Sequence, residues 1–121
     1  MIRSLSQPIP CIRLPPGYSI ISVHEDNGFF WEEVMDASWG NHEPGDFRYV
    51  MVSNNGYEDG TVFVLLDENE RPVATSSPWD YGMDNWYAQP FPEVAFVGVI
   101  PSCQGRGLGK LMVTHSLHEL K

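Results

Sequence analysis

An α/β domain is what this sequence predicts, with its elements in the order β-α-α-β-β-β-α. Three observations carry that expectation. Val94 to Ile100 is apolar on both faces, as a strand in the middle of a sheet requires. Gln104 to Lys110 then places three glycines within five residues. Beyond the first two of them, Leu108, Leu111, Met112 and His115 recur at the spacing of a helix buried along one side. The closing stretch therefore reads strand, glycine loop, helix.

The earlier elements follow in order. Residues 1–17 hold four prolines and no long apolar segment, so they are expected to form an irregular lead-in arm to a domain spanning 18–121. Tyr18 to Val23 reads as a first strand. Phe30, Val34, Ala37 and Ser38 fall at helical spacing behind the start signal Asp26-Asn27-Gly28, and Trp39-Gly40 closes that helix. Phe47, Val50 and Met51 give a second, shorter helical face, and Asn54-Asn55-Gly56 is a turn. Thr61 to Leu66 and the weaker Pro72 to Ser76 flank the polar turn Asp67 to Arg71, which makes a hairpin. Residues 77–92 read as an insertion that mixes Trp79, Tyr81, Trp86, Tyr87 and Phe91 with Asp80 and Asp84. Two readings stand for it: an amine pocket walled by aromatics and carboxylates, or a satellite hydrophobic cluster under a long loop.

Composition narrows the function classes. A chain of 121 residues suits one small domain, and 42% apolar residues can build its core. The net charge of −9 argues against a nucleic-acid partner, which needs a basic face. An acidic surface suits cationic substrates such as amines, and it equally confers solubility. Two of the seven basic residues, Arg106 and Lys110, nevertheless flank the glycine loop, which favours an anion there. Cys11 and Cys103 are too few for a disulfide framework and read as free thiols. Cys103 lies beside the loop, where a small buried residue is the simplest role. Nothing at the N-terminus resembles a signal peptide and no run is long enough to span a bilayer, so a soluble cytoplasmic protein is expected. His24, His42, His115 and His118 show no zinc spacing with either cysteine, and no metal is expected.

The loop itself carries the chemistry. Glycines let a ligand approach the main chain, and a helix opening there aims unpaired N–H groups and partial positive charge at it. Together these hold a phosphate-like anion. The nucleoside-triphosphate loop fails here, because Gln104 stands where its first glycine would be and Leu111 follows Lys110. The dinucleotide fingerprint fails too, since Gly105-Arg106-Gly107 would need glycine at Lys110. What remains is Q-x-x-G-x-G: Gln104, Gly107 and Gly109.

With Glu93-Val-Ala-Phe-Val-Gly-Val-Ile-Pro101 before it, this motif resembles the acetyl-CoA-binding core of the GNAT superfamily of N-acetyltransferases. The resemblance implies a GNAT-like α/β fold (α+β, mixed sheet) and transfer of an acetyl group from acetyl-CoA to a primary amine. It implies that Gln104, Gly105, Arg106, Gly107, Leu108, Gly109 and Lys110 hold the cofactor pyrophosphate. Val97 and Val99 map to positions whose backbone pairs with the pantetheine arm, one of their N–H groups polarising the thioester carbonyl. Gly98 between them permits a bulge or a close approach, or simply gives room for packing. Glu93 matches the general-base glutamate of the histone-acetyltransferase branch. A strand-end glutamate facing solvent is the plain reading of that residue, and other family members use a water chain instead. The acceptor itself, small molecule or peptide, is not named by any motif.

A full domain of this family continues with a further strand, helix and strand, and its frequent general acid is a tyrosine on the later helix. This sequence ends at Lys121. Val94 to Ile100 would then be an apolar sheet edge. Three expectations compete: a fragment of a longer enzyme, a sheet completed by a second copy or a partner chain, or a non-catalytic CoA-binding or protein-interaction module.

Overall fold

The computed structural model describes residues 8–40, 45–53, 57–79 and 93–120, with Glu93 described by its backbone alone. Strand β1 covers Ser19–Val23, β2 Val62–Leu66, β3 Pro72–Trp79 and β4 Glu93–Val99. They form one sheet in the order β1-β2-β3-β4, and all three pairings are antiparallel. Helix α1 covers Phe29–Trp39 and α2 covers Leu108–Leu120. A short π-type helix, Phe47–Val52, is the second helical face that the sequence predicts. The α/β class and the element order are as expected. Of the lead-in arm, residues 8–17 carry no helix or strand beyond a turn. Among the described residues no helix is long and apolar enough to cross a membrane. Nor do three or more His, Cys, Asp or Glu side chains converge there on a metal-sized site.

Helix α1 buries Trp31, Val34 and Met35, while Ala37 is exposed. The apolar stripe is thus rotated from the Phe30-Val34-Ala37-Ser38 face that spacing alone picks out. The larger side chains decide it, because an indole removes far more apolar area from water than a methyl does. Trp31 packs edge-on against Phe47 at 5.7 Å between ring centres, which couples α1 to the π-type turn. Glu32 couples them a second time: its Oε2 accepts the N–H groups of Gly45 at 3.0 Å and Phe47 at 2.9 Å. A carboxylate at a helix start satisfies otherwise orphaned donors and matches the local dipole.

The β2–β3 hairpin closes as its polar turn predicts. Asp67 Oδ1 accepts from the backbone of Asn69 at 2.8 Å and Arg71 at 2.9 Å. Strand β3 runs further than expected, to Trp79. Ser77, Pro78 and Trp79 find partners in Ala95, Val94 and Glu93, and Trp79 is only 1% exposed. Those partners are distant in sequence, so local propensity could not announce them. Residues 80–92, the rest of the aromatic insertion, lie outside the described residues, as does the Asn54-Asn55-Gly56 turn.

The helices lie on opposite faces of the sheet. A Cβ at Gly98 would meet Ser38 and Met35 of α1, whereas Val99 reaches Gly109 of α2. A buried polar bond fixes α2. The Ser76 hydroxyl donates to Met112 O at 2.8 Å and lies 2.7 Å from Ser116 Oγ, with both serines fully buried. Since Ser76 has spent its single proton, Ser116 donates to it. Ser76→Ala is expected to cost about 1–3 kcal/mol in urea unfolding, because it strands the Ser116 hydroxyl. The Ser76→Ala/Ser116→Ala pair should cost clearly less than the sum of its singles. Additive costs would show that the two hydroxyls do not act as a unit.

His115 gives the fold a pH dependence. Its ring sits edge-on to Phe63 at 4.5 Å with only 19% of the side chain exposed, and Nε2 lies 3.8 Å from Glu119. Burial pushes its pKa below the ordinary histidine value, Glu119 partly offsets that, and His118 adds to it. The unfolded chain therefore takes up this proton first as pH falls through about 6.5. The histidine's share of stability is complete above that pH and declines below it. Unfolding free energies measured between pH 7.5 and 5 should show this decline, and His115→Gln should flatten it. An unchanged slope in the variant would assign the effect to other groups.

Candidate functional site

Strand β4 pairs with β3 along one side, and among the described residues its other side carries no strand. The pairing is interrupted. Val99 faces Ala74 and Gly98 faces Thr75, but Ala95 faces Ser77. Phe96 and Val97 therefore oppose the single residue Ser76, which is a β-bulge. Phe96 takes a left-handed φ of 52°. That conformation is costly for a non-glycine residue and is held here by its ring, which packs 5.3 Å from Trp79 and 6.0 Å from Trp31. The sequence left a bulge, a close approach or room for packing open at Gly98. The structure places the bulge two residues earlier and gives Gly98 the packing role, since a Cβ there would stand 2.8 Å from Ser38 Oγ.

The register then decides which peptide groups are free. Ile100 N–H donates to Val73 O at 3.0 Å, so by antiparallel alternation Gly98 also faces β3. Val97 and Val99 fall between and turn their N–H and C=O groups to the open edge. Side-chain donors find both carbonyls there. Trp39 Nε1 lies 3.4 Å from Val97 O, and Gln104 Nε2 donates to Val99 O at 3.1 Å. The indole of Trp39 had no signal in the sequence beyond its place at the end of α1. It is 67% exposed, and with Met35, Phe96 and Val97 it lines an apolar hollow of about 320 Å³.

After β4 the chain makes a single 3-10 turn, Pro101–Cys103, and Cys103 is buried, as its sequence position suggested. Gly105 and Gly107 have φ values of 82° and 78°, with nothing within 4 Å of the place a Cβ would occupy. Backbone direction, not crowding, requires glycine at both. Gly107 O accepts from Leu111 N–H at 3.0 Å, which makes Gly107 the cap of α2. Leu108, Gly109 and Lys110 are the first helical residues, and their N–H groups have no intrahelical acceptor. Leu108 is buried and anchors the turn. Gly109 brings that turn against Val99, whose Cγ2 would lie 3.5 Å from a Cβ added there.

Arg106, Gly107 and Lys110 form one wall of a cleft of about 410 Å³, and residues of the lead-in arm form the other. Gln104 through Lys110, Val97 and Val99 are thus brought to one corner of the fold. Glu93 stands at the far end of the same strand, opposite Trp79. Three residues separate it from Val97, at most about 13 Å at full strand rise.

Comparison with known proteins identifies the family and the fold. The sequence model of the Acetyltransferase (GNAT) family matches residues 30–121. A mycothiol acetyltransferase from Nocardioides sp. is 27% identical over 135 residues, covering 99% of this chain and 46% of that protein. The chain therefore spans about half the length of that curated relative. Among solved structures, the ribosomal-protein-S18-alanine N-acetyltransferase of Escherichia coli superposes with a TM-score of 0.60 at 16% identity, covering 85% of this chain and 59% of that one. A GCN5-related N-acetyltransferase from Sphaerobacter thermophilus gives 0.65 at 14% identity, covering 95% of this chain and 36% of that one. At such identities the structures speak to the fold, while the family match takes in about three quarters of the sequence. On that match, together with the shared fold, the chain belongs to the acetyltransferase (GNAT) family.

Proposed function

We infer that this chain supplies the acetyl-CoA-binding core of an N-acetyltransferase acting on a primary amine. One observation carries the reading. The strandless outer edge of β4 at Val97 and Val99, with its outward N–H groups, and the unpaired first-turn amides of α2 open onto the same corner, bridged by Gln104 on Val99 O. A strand edge pairs an extended amide-bearing arm, and a glycine-lined helix start holds a diphosphate. Acetyl-CoA contains both parts and supplies the acetyl group as an activated thioester.

The chain's own residues then have separable tasks. Gly105, Gly107 and Gly109 leave the main chain of Gln104–Lys110 bare to phosphate oxygens, each charge-assisted bond being worth about 1.5–3 kcal/mol. Val97 N–H, set by the bulge, is the donor we assign to the thioester oxygen as charge develops on it. Only about one lysine-like amine in 2,500 is neutral at pH 7, so a base is required. Glu93 is our candidate. Its distance along the strand from Val97 calls for a relaying water between carboxylate and amine. The relatives named above carry names that point to different acceptors, so the assignment stops at the class of primary amine.

Gly107→Asp separates binding from folding. Aspartate tolerates left-handed backbone and caps helices, yet its charge opposes an anion at this place. Calorimetry is expected to show acetyl-CoA affinity falling at least about thirtyfold, on the order of 2 kcal/mol, in a variant that melts near wild type. Unchanged affinity would remove the diphosphate from this loop. Glu93→Gln is expected to lower kcat about a hundredfold or more at pH 7 while KM for acetyl-CoA stays constant. A variant with full kcat would leave Glu93 as a strand-end residue with no part in proton transfer.

A further inference from the structure

We propose that Arg13, on the arm before β1, binds the ribose phosphate monoester of coenzyme A, forming a second anion subsite apart from the diphosphate loop. The proposal rests on the acetyl-CoA reading above and deepens it. Its starting point is the cleft of about 410 Å³ in which Arg13, with Cys11 and Ile12, lies across from Arg106, Gly107 and Lys110.

The charge distribution is the first argument. The whole chain has seven Lys and Arg against sixteen Asp and Glu. Three of those seven cations line this one cleft. Arg48 is ion-paired, its guanidinium 3.7 Å from Glu25. Among the described residues Arg13, Arg106 and Lys110 have no such carboxylate partner. In a protein of net charge −9, three unneutralised cations around one space repel one another, and a polyanion offsets that repulsion.

The second argument is that Arg13 is held in place. His118 Nε2, near the end of α2, lies 2.7 Å from Pro10 O. On the other side Leu14 packs against the core, and Tyr18 N–H closes a turn on Pro15 O at 3.1 Å. Anchors therefore bracket Arg13 within five residues and tie the arm to α2 and the core, with Arg13 on the wall of the cleft it shares with Arg106 and Lys110. A cation so placed gives up less freedom on binding than one on a loose tail.

The ligand's chemistry completes the case. Coenzyme A carries a diphosphate and, across the ribose, a separate phosphate monoester. The loop amides are neutral donors committed to the first group. The monoester carries about −1.5 to −2 charge at pH 7 and suits the two-pronged geometry of a guanidinium.

The test measures binding of acetyl-CoA and of 3′-dephospho-acetyl-CoA to the 121-residue chain by calorimetry, in wild type, Arg13→Gln and Arg13→Lys. Arg13 is exposed, and unchanged melting temperatures will verify that the variants fold. Wild type is expected to prefer the phosphorylated coenzyme about tenfold, a preference that shrinks at high salt. Arg13→Gln should bind both coenzymes alike, at the wild-type level for the dephospho form, and Arg13→Lys should recover part of the preference. If wild type binds acetyl-CoA without discriminating, or Arg13→Gln keeps the full preference, the Arg13 subsite is wrong while the loop assignment stands. If wild type binds neither coenzyme, the acetyl-CoA reading fails and takes this subsite with it.

Discussion

Ser76 is the fixed point of this molecule. On one side it is the single residue opposed by both Phe96 and Val97, so it marks where β4 slips its register. On the other its hydroxyl grips Met112 O and Ser116 in the middle of α2. The bulge decides which peptide groups of β4 turn outward, and the helix decides where the first-turn amides point. One buried residue thus references both halves of the site to each other. Low dielectric around it strengthens these bonds and makes their loss expensive. The helix cannot slide along the sheet without leaving buried hydroxyls unsatisfied.

In the corner proposed to hold the cofactor, main-chain donors outnumber charged side chains. The sequence is acidic throughout, and Arg106 and Lys110 are exposed to water, where screening weakens them. The amides of the loop have fixed directions and cost little to reorganise. Phe96 shows what the bulge costs locally: a bulky residue sits at positive φ, and two tryptophans hold its ring there. Strain is placed in the backbone and compensated by aromatic burial on the α1 face.

The sequence made much of this readable because its strongest signals are local. The loop glycines, the strand before them and the helix after them sit within one continuous stretch, and Asp67 to Arg71 announces its own turn. What escaped notice depends on partners far away in the chain. Ser77 to Trp79 become strand only because β4 lies beside them. The rotation of α1 toward Trp31 and Met35 follows from what the sheet offers to cover. Gly98 permits a bulge because glycine tolerates irregular backbone most cheaply, yet Phe96 bears it and Gly98 serves packing. Arg13 belongs to no motif, and only the fold brings it into one cleft with Arg106 and Lys110.

Gly105 and Gly107 have a consequence for chemical synthesis. Their φ angles lie in the half of conformational space that belongs to mirror-image residues, and open space surrounds the site of each missing side chain. A D-alanine installed at either position by ligation would adopt that φ without backbone strain. It would also narrow the wandering of the unfolded loop. Within the protein itself, handedness rather than crowding is what keeps an L side chain from these two positions.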